Sequence, residues 1–359
     1  MGPPLEKEKN HSQVALTTAF SSELCINNNN NDNDNIKNKI SQLINNEEIE
    51  DKITPKKKLS VCLSQSYNRL NYYNKSLRVL NCGTYLEYQH IVDDNNNILS
   101  GKLHSANFCK DRLCPLCAWR RSLKIFSQVS QIMENINDNY DYLFLTLTIP
   151  SVNEYELIYS ITNMMNAFNR LTKMRRFTKA IKGYFRALEI TRNNNKYSKS
   201  YNLYHPHFHC VLVVNKSYFK SNEYINRDLW LKMWQKVTDN KDITQVDVRR
   251  AKDKSNCNKD IKSVVAEITK YTVKSNDYIF PDNPQLTDNI VYTLNSALKS
   301  RRLIAYGGIF REIYKKLKLD DPENGDLNNI DNKINDNIKV MIIKYGWSAG
   351  CYKILDISV

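Results

Sequence analysis

The run HPHFHCVLVV at 205–214 constrains this chain more than any other stretch. Three histidines alternate and pass without interruption into apolar residues. Period-two alternation belongs to a β-strand. It sets His205, His207 and His209 on one face and Phe208, Cys210, Leu212 and Val214 on the other, toward a core. Alternate residues on a strand lie about 6.5–7 Å apart, twice the rise per residue. Two imidazoles at that separation can converge on one cation through metal–nitrogen bonds of about 2 Å. The chain has only six histidines, so a face holding half of them stands out against its composition.

The preceding residues supply a partner strand. Over 184–192, Tyr184, Arg186, Leu188 and Ile190 alternate with Phe185, Ala187, Glu189 and Thr191, and 193–202 is a polar, basic connection. An antiparallel hairpin follows, which sets Glu189 beside the histidines. His207, His209 and Glu189 then make a mixed nitrogen and oxygen set that suits Mg or Mn, with positions left open for a phosphate. A surface glutamate is the competing reading of Glu189. A further strand over 142–149 ends at Pro150, with Leu143, Leu145 and Leu147 on one face and Phe144, Thr146 and Thr148 on the other.

The cysteines are the second constraint. Nine of them, odd in number and unevenly spread, argue against a disulfide framework and for metal ligation or free thiols. Cys109, Cys114 and Cys117 form a C-x4-C-x2-C run with Pro115 in the knuckle. Cys82, from the preceding hairpin, can close a four-thiolate site, and His104 competes for the fourth place. Zinc is the natural metal, being tetrahedral and redox-inert. The alternatives are buried thiols without metal and an isolated redox pair, which such crowding does not resemble. Arg120, Arg121 and Lys124 follow at helical spacing, so the zinc unit is expected to present a basic helix.

Lys and Arg number 52 against 38 acids, a net charge of +14 that favours a polyanionic partner, nucleic acid first. No apolar run approaches the ~18 residues of a membrane span. The charged, proline-containing start has no secretory core behind it, so a cytoplasmic location and no membrane partner are expected. Residues 1–58 read as a disordered Asn-rich tail that includes the basic run Lys56, Lys57 and Lys58. Beyond it we expect a zinc-binding unit with its basic helix over 59–124, a catalytic domain over 125–318, and a C-terminal extension packing on the core over 319–359.

Helices are expected over 60–74, 122–135, 154–174 and 222–237, the last with Trp230 and Trp234 in the core, and a short one over 291–298. Strand character marks 78–88 and 243–249. In a helix over 260–274, Glu267, Tyr271 and Lys274 are spaced i, i+4, i+7 and share one face. Residues 300–310 read as a basic loop with a glycine turn, carrying Arg301 and Arg302 as candidate DNA contacts beside Arg120, Arg121 and Lys124. Residues 340–357 read as strand, turn, strand. The fold class is α+β: a central antiparallel sheet carrying the histidines, flanked by helices and preceded by the small zinc-binding unit.

Taken in order, these segments resemble the rolling-circle replication initiators (Rep) of small bacterial plasmids, within the HUH endonuclease superfamily. Residues 144–150 resemble the first family motif, 205–209 the second and the run EITKYTVK at 267–274 the third. The cysteine knuckle resembles an upstream segment and 302–308 a downstream block, so the resemblance spans roughly Cys82 to Phe310. It implies a metal-dependent nickase and strand transferase that binds plasmid origin DNA, single-stranded or as an extruded hairpin. Tyr271 would be the nucleophile, leaving a 5′-phosphotyrosine and a free 3′-hydroxyl. Mg or Mn on His207, His209 and Glu189 would polarise the scissile phosphate, and Lys274 would hold a phosphate or assist the tyrosine. Phage relatives place a second tyrosine where this chain has Glu267, which implies termination by hydrolysis. A host helicase and polymerase are the possible partners. The competing readings are an HUH transposase or relaxase, a histidine-triad nucleotide hydrolase, and a non-catalytic zinc DNA-binding regulator.

Overall fold

The computed structural model describes residues 48–93, 98–250, 265, 273–328, 330 and 339–358. Its described part opens with a π turn, Glu48–Ile53, that buries Ile49 and Ile53 and runs straight into helix α1 (Thr54–Arg69). Pro55 sits in the first turn of α1, where a missing N–H costs nothing. The tail expected to reach residue 58 therefore overlaps α1. Helix α2 (Tyr73–Leu80) takes up Val79 and Leu80, which the sequence pattern assigned to a strand, and buries Ser76 and Val79 one turn apart. Strand β1 (Tyr85–Val92) begins only after the turn at Gly83, and β2 (Ile98–Ala106) pairs antiparallel to it.

Helix α3 (Pro115–Glu134) starts at the cysteine knuckle itself, because Pro115 presets its first turn. Then come β3 (Tyr140–Thr148), α4 (Leu157–Leu171), α5 (Arg175–Ala180), β4 (Ile181–Arg192), β5 (Tyr204–Asn215), α6 (Arg227–Thr238) and β6 (Val246–Arg250). After 273 follow α7 (Pro284–Leu298), β7 (Ile304–Gly308), α8 (Ile309–Lys316), β8 (Val340–Ser348) and β9 (Cys351–Ser358). Helix α7 is longer than the expected 291–298. Asn283 caps it by accepting from the Leu286 N–H at 3.1 Å, and Pro284 fills its first turn.

The fold is α+β, with two antiparallel sheets flanked by helices. The larger has strand order β6-β3-β5-β4-β7, so the histidine strand β5 is its centre. Both its faces are covered. On one, Phe185, Ala187, Val211 and Val213 pack with Ile125, Val129 and Ile132 of α3, with Phe310 of α8 and with Val265. On the other, Phe208 meets Phe168 of α4 and Trp234 of α6 edge-on, with ring centroids 5.6 and 6.4 Å apart. Coverage on both faces is why β5 turns from alternation into a continuous apolar run. Residues 304–308, expected as part of a loop, form the edge strand β7 paired to β4. Gly308 makes the turn into α8 possible: its φ is +53°, and a Cβ there would lie 2.2 Å from the Lys182 carbonyl oxygen.

The smaller sheet has order β2-β1-β8-β9. The expected C-terminal extension thus divides. Strand β8 pairs along the whole of β1, so 340–358 complete the sheet of the cysteine-bearing region rather than packing on the histidine sheet. Residues 320–328 instead lie along α3, and here the basic-helix expectation is corrected. Arg120, Arg121 and Lys124 are buried. Arg120 donates to the carbonyls of Leu327 (2.9 Å) and Asn328 (2.7 Å), Arg121 to those of Glu323 and Lys110 (both 3.1 Å). Lys124 donates to the Asp320 carboxylate at 2.6 Å and the Asp326 carbonyl at 2.7 Å. These cations satisfy the backbone of a segment two hundred residues downstream and offer DNA no basic face. Arg120→Ala should therefore lower stability by about 2–4 kcal/mol, the cost of orphaning buried carbonyls bonded to a charged donor. Urea unfolding checks this; weaker DNA binding with unchanged unfolding would restore the basic-helix reading. Among the described residues no helix is long and apolar enough to cross a membrane.

Candidate metal centres and catalytic face

Antiparallel register builds the first site. Glu189 of β4 lies directly opposite His207 of β5, and Thr146 and Thr148 of β3 lie opposite His209 and His207. His209 Nε2 is 2.9 Å from Glu189 Oε2 and His207 Nε2 is 3.3 Å from the same oxygen. One donor atom from each of the three residues falls within 4.8 Å of the others. His207 Nδ1 donates to the His205 carbonyl at 3.0 Å, which fixes the tautomer and leaves Nε2 as the ligand atom. Thr146 Oγ1 lies 3.4 Å from His209 Nδ1 and restrains the orientation of that ring; a hydroxyl both donates and accepts, so this contact does not set the tautomer.

Burial alone would raise the Glu189 carboxyl. Hydrogen bonds and charge from His207 and His209 outweigh it and hold the group well below the usual carboxylate range. An ionised carboxylate beside two imidazole nitrogens is a ready acceptor for a hard divalent cation, so the donor set fits Mg or Mn. Lys274 closes the rim, with its ammonium 3.7 Å from Glu189 Oε1. His205 stands apart from the three donors: it hydrogen-bonds Thr148 Oγ1 and stacks on His207 at 5.3 Å. Burial, then the neighbouring His207, lowers its pKa. Trp234 Nε1 donates to the Thr148 carbonyl at 2.8 Å and ties α6 to this corner. Thr146, Thr148 and Trp234 were not singled out for the site by the sequence, although period-two alternation of β3 already puts both threonines on the histidine side.

Glu267 and Tyr271 lie outside the described residues. In sequence they fall between Val265, helical and buried in the core beneath the histidine face, and Lys274 at the rim of the site.

The second site is the cysteine cluster. Cys82, Cys109, Cys114 and Cys117 bring their sulfurs within 4.8 Å of one another. Separations of 3.5 Å (Cys82–Cys117 and Cys82–Cys114) and 3.6 Å (Cys109–Cys117) approach the ~3.8 Å that tetrahedral bonds of about 2.3 Å to one zinc would give. The structure puts Cys82, and not His104 on β2, in the fourth place. Backbone N–H groups of Cys109, Lys110 and Asp111 donate to the sulfurs of Cys82, Cys117 and Cys109 at 3.4, 3.2 and 3.4 Å. Burial opposes ionisation of Cys114, but hydrogen bonds from the other three thiols and from Ser60 hold it below the usual range; Cys117 is pushed up in the same exchange. Only a cation lets four crowded thiolates coexist, so the donor set fits zinc.

Lys57, expected in a solvated basic run, is instead wholly buried beneath this cluster. It donates to the carbonyls of Leu80 (2.6 Å) and Cys82 (2.7 Å). Burial lowers its pKa, and the nearby sulfurs of Cys82, Cys114 and Cys109 partly restore it. The signal was available: Lys57, Ser60 and Ser64 fall at helical spacing around the apolar Leu63. Of the remaining candidates, Arg301 donates to the Ile158 carbonyl (3.2 Å) and Thr162 Oγ1 (2.8 Å), while Arg302 is exposed and 3.6 Å from Asp321.

Comparison with known proteins is consistent with this geometry. A family model described as "Replication protein" matches residues 100–353. A "Protein rep" from Bacillus sp is 38% identical over 278 residues, covering 73% of this chain and 87% of the relative. One from Bacillus amyloliquefaciens is 38% identical over 295 residues, with 76% and 84% covered. One from Staphylococcus aureus is 36% identical over 239 residues, with 66% and 98% covered. No solved structure matches the chain.

Proposed function

This chain belongs to the replication-protein family, and we propose that it is a plasmid replication initiator that nicks one strand of its origin through Tyr271. The observation that carries the proposal is the convergence of His207, His209 and Glu189 on one point of the sheet, with the Lys274 ammonium beside them. These three donors would hold Mg or Mn, which when bound polarises a phosphodiester and neutralises the charge that builds on it. Lys274, half exposed, is placed to hold a phosphate oxygen. The Tyr271 oxygen attacks phosphorus, the bond to the 3′ oxygen breaks, and the products are a 5′-phosphotyrosine and a free 3′-hydroxyl for a host polymerase. Glu267 activates water at termination, since a carboxylate is a general base and not a lasting phosphate acceptor. Cys82, Cys109, Cys114 and Cys117 would hold zinc, which would tie the turn before β1 to the start of α3, while α1 leans on the cluster through Ser60 and Lys57. The DNA engaged is single-stranded or an extruded hairpin, and a host helicase would extend the opening.

The direct test incubates the protein with supercoiled DNA of its own replicon and Mn, then looks on a denaturing gel for a covalent protein–DNA product. Binding without cleavage would favour the non-catalytic zinc regulator. His209→Ala should lower nicking by about a hundredfold to a thousandfold, with duplex binding largely kept, because it removes a ligand and leaves the fold. His205→Ala should cost about tenfold or less, since His205 steadies His207 and lies outside the donor group. Equal damage from the two variants would favour the histidine-triad hydrolase, which dinucleotide hydrolysis would reveal.

A further inference from the structure

Beside the edge strand β7 a cleft of about 640 Å³ opens between α4 and α8. Its lining includes Arg186, Arg301, Arg302, Arg311 and Lys315 and no acidic residue. Arg186 is the unusual member. It is only 4% exposed, sits in β4 opposite Cys210, and forms no ion pair among the described residues. Its Nε is buried without a hydrogen-bond partner, and Nη1 reaches only the Met165 sulfur, a weak acceptor, at 2.6 Å. What holds the guanidinium is aromatic: it lies over Phe208 at 4.4 Å and Phe168 at 5.3 Å. The buried hydroxyl of Tyr306, another lining residue, also lacks a partner.

A buried cation without a counter-ion is costly, and a protein that keeps one at the wall of a basic cleft gains by pairing it with an anion from outside. Arg186 lies three residues from Glu189 on β4, so it faces the opposite side of the sheet from the metal donors. We propose that this cleft is a second nucleic-acid subsite, in which Arg186 takes a phosphate of a single DNA strand while Arg311 and Lys315 track the neighbouring phosphates. A planar guanidinium presents paired N–H donors to phosphate oxygens, and stacking on Phe208 pre-orients it. The pair Tyr306 and Tyr314, stacked at 4.9 Å, lies in the same lining and offers a base an aromatic neighbour. This inference rests on the reading of the protein as a DNA-acting initiator and deepens it.

The test measures binding of a fluorescent twelve-nucleotide oligo-dT at low salt, without added Mg or Mn, so that no cleavage contributes. Arg311→Ala combined with Lys315→Ala, both on exposed side chains, should weaken binding about tenfold. It should also reduce the slope of log affinity against log salt by about 1.4, two contacts at ~0.7 each. Arg186→Met should weaken binding by a similar factor while the melting temperature without DNA stays level or rises, because an apolar side chain replaces an unpaired buried charge. Wild-type affinity in Arg186→Met, or an unchanged salt slope in the double variant, would overturn the proposal. Inorganic phosphate is the second probe. If it stabilises the wild type but not Arg186→Met while oligonucleotide affinity is the same in both, the cleft takes a free anion and the strand assignment fails. Nicking is scored separately. Loss of oligo-dT binding in a protein that never forms a covalent product would keep the cleft and remove the nickase reading; normal nicking with unaltered oligo-dT binding in every variant would do the reverse.

Discussion

Tyr271→Phe should abolish both the nick and the covalent protein–DNA product, a loss on the order of 10⁴ or more when the attacking atom itself is removed. The substitution keeps the ring and deletes the oxygen, so zinc content, melting temperature and duplex affinity should stay at wild-type values. Glu267→Gln keeps shape and removes the base. It should still nick and still form the product, because the first displacement uses only the tyrosine oxygen, but the product should persist where the wild type releases it by hydrolysis. A time course on a denaturing gel separates the two variants. If Glu267→Gln fails at the first nick, Glu267 is a ligand or a structural contact, and the division of labour between these residues is wrong. The neighbourhood supports the assignment. Val265 is buried in the apolar core on the histidine side of the sheet, and the Lys274 ammonium lies 3.7 Å from Glu189 Oε1.

What the sequence made legible follows from how far each signal reaches. Strand alternation is local and exact in period, so the shared face of His205, His207 and His209, and the pairing of Glu189 with His207 across a short loop, can be read directly. The thiolate cluster is nearly as local, since three of its members lie within nine residues and Cys82 precedes them by one hairpin. Helical spacing is weaker, because it groups residues on a face without saying what covers that face. Arg120, Arg121 and Lys124 read as a solvent-facing basic patch, yet residues 320–328 lie on them. Nothing near position 120 announces a cover two hundred residues away. The same non-local pairing hid the role of 340–358, whose strand pattern was plain but whose partner is β1. At 304–308 the composition misled. Paired glycines suggest a loop, but Gly307 abuts the Tyr184 ring and Gly308 approaches the Lys182 carbonyl, so here they let an edge strand pack closely and then turn.

Cys114→Ser should cost the protein its fold around α1, α3 and β1. Structural zinc in four-thiolate sites contributes about 10–16 kcal/mol of apparent binding free energy at neutral pH, and that energy is folding energy. Cys114 is wholly buried, and its sulfur touches both Cys82 and the Ser60 hydroxyl of α1, so the serine loses the metal bond and leaves polar groups crowded in a dry pocket. The effect should extend beyond the cluster. Lys57 is held against the Cys82 carbonyl, and Tyr352 of β9 donates to the Gly83 carbonyl at 2.6 Å, so both the first helix and the C-terminal sheet lean on the turn that carries Cys82. Metal analysis should find one zinc per chain in the wild type and none in Cys114→Ser, which should be insoluble or melt far below it. Cys62→Ser is the matched control: Cys62 lies outside the cluster and is half-buried, so its loss should change stability by no more than about 0.5 kcal/mol. A chelator should reproduce the Cys114→Ser unfolding in the wild type, with readdition of zinc restoring it. Wild-type protein that melts normally without zinc would remove the metal from this cluster and leave four buried thiols in its place.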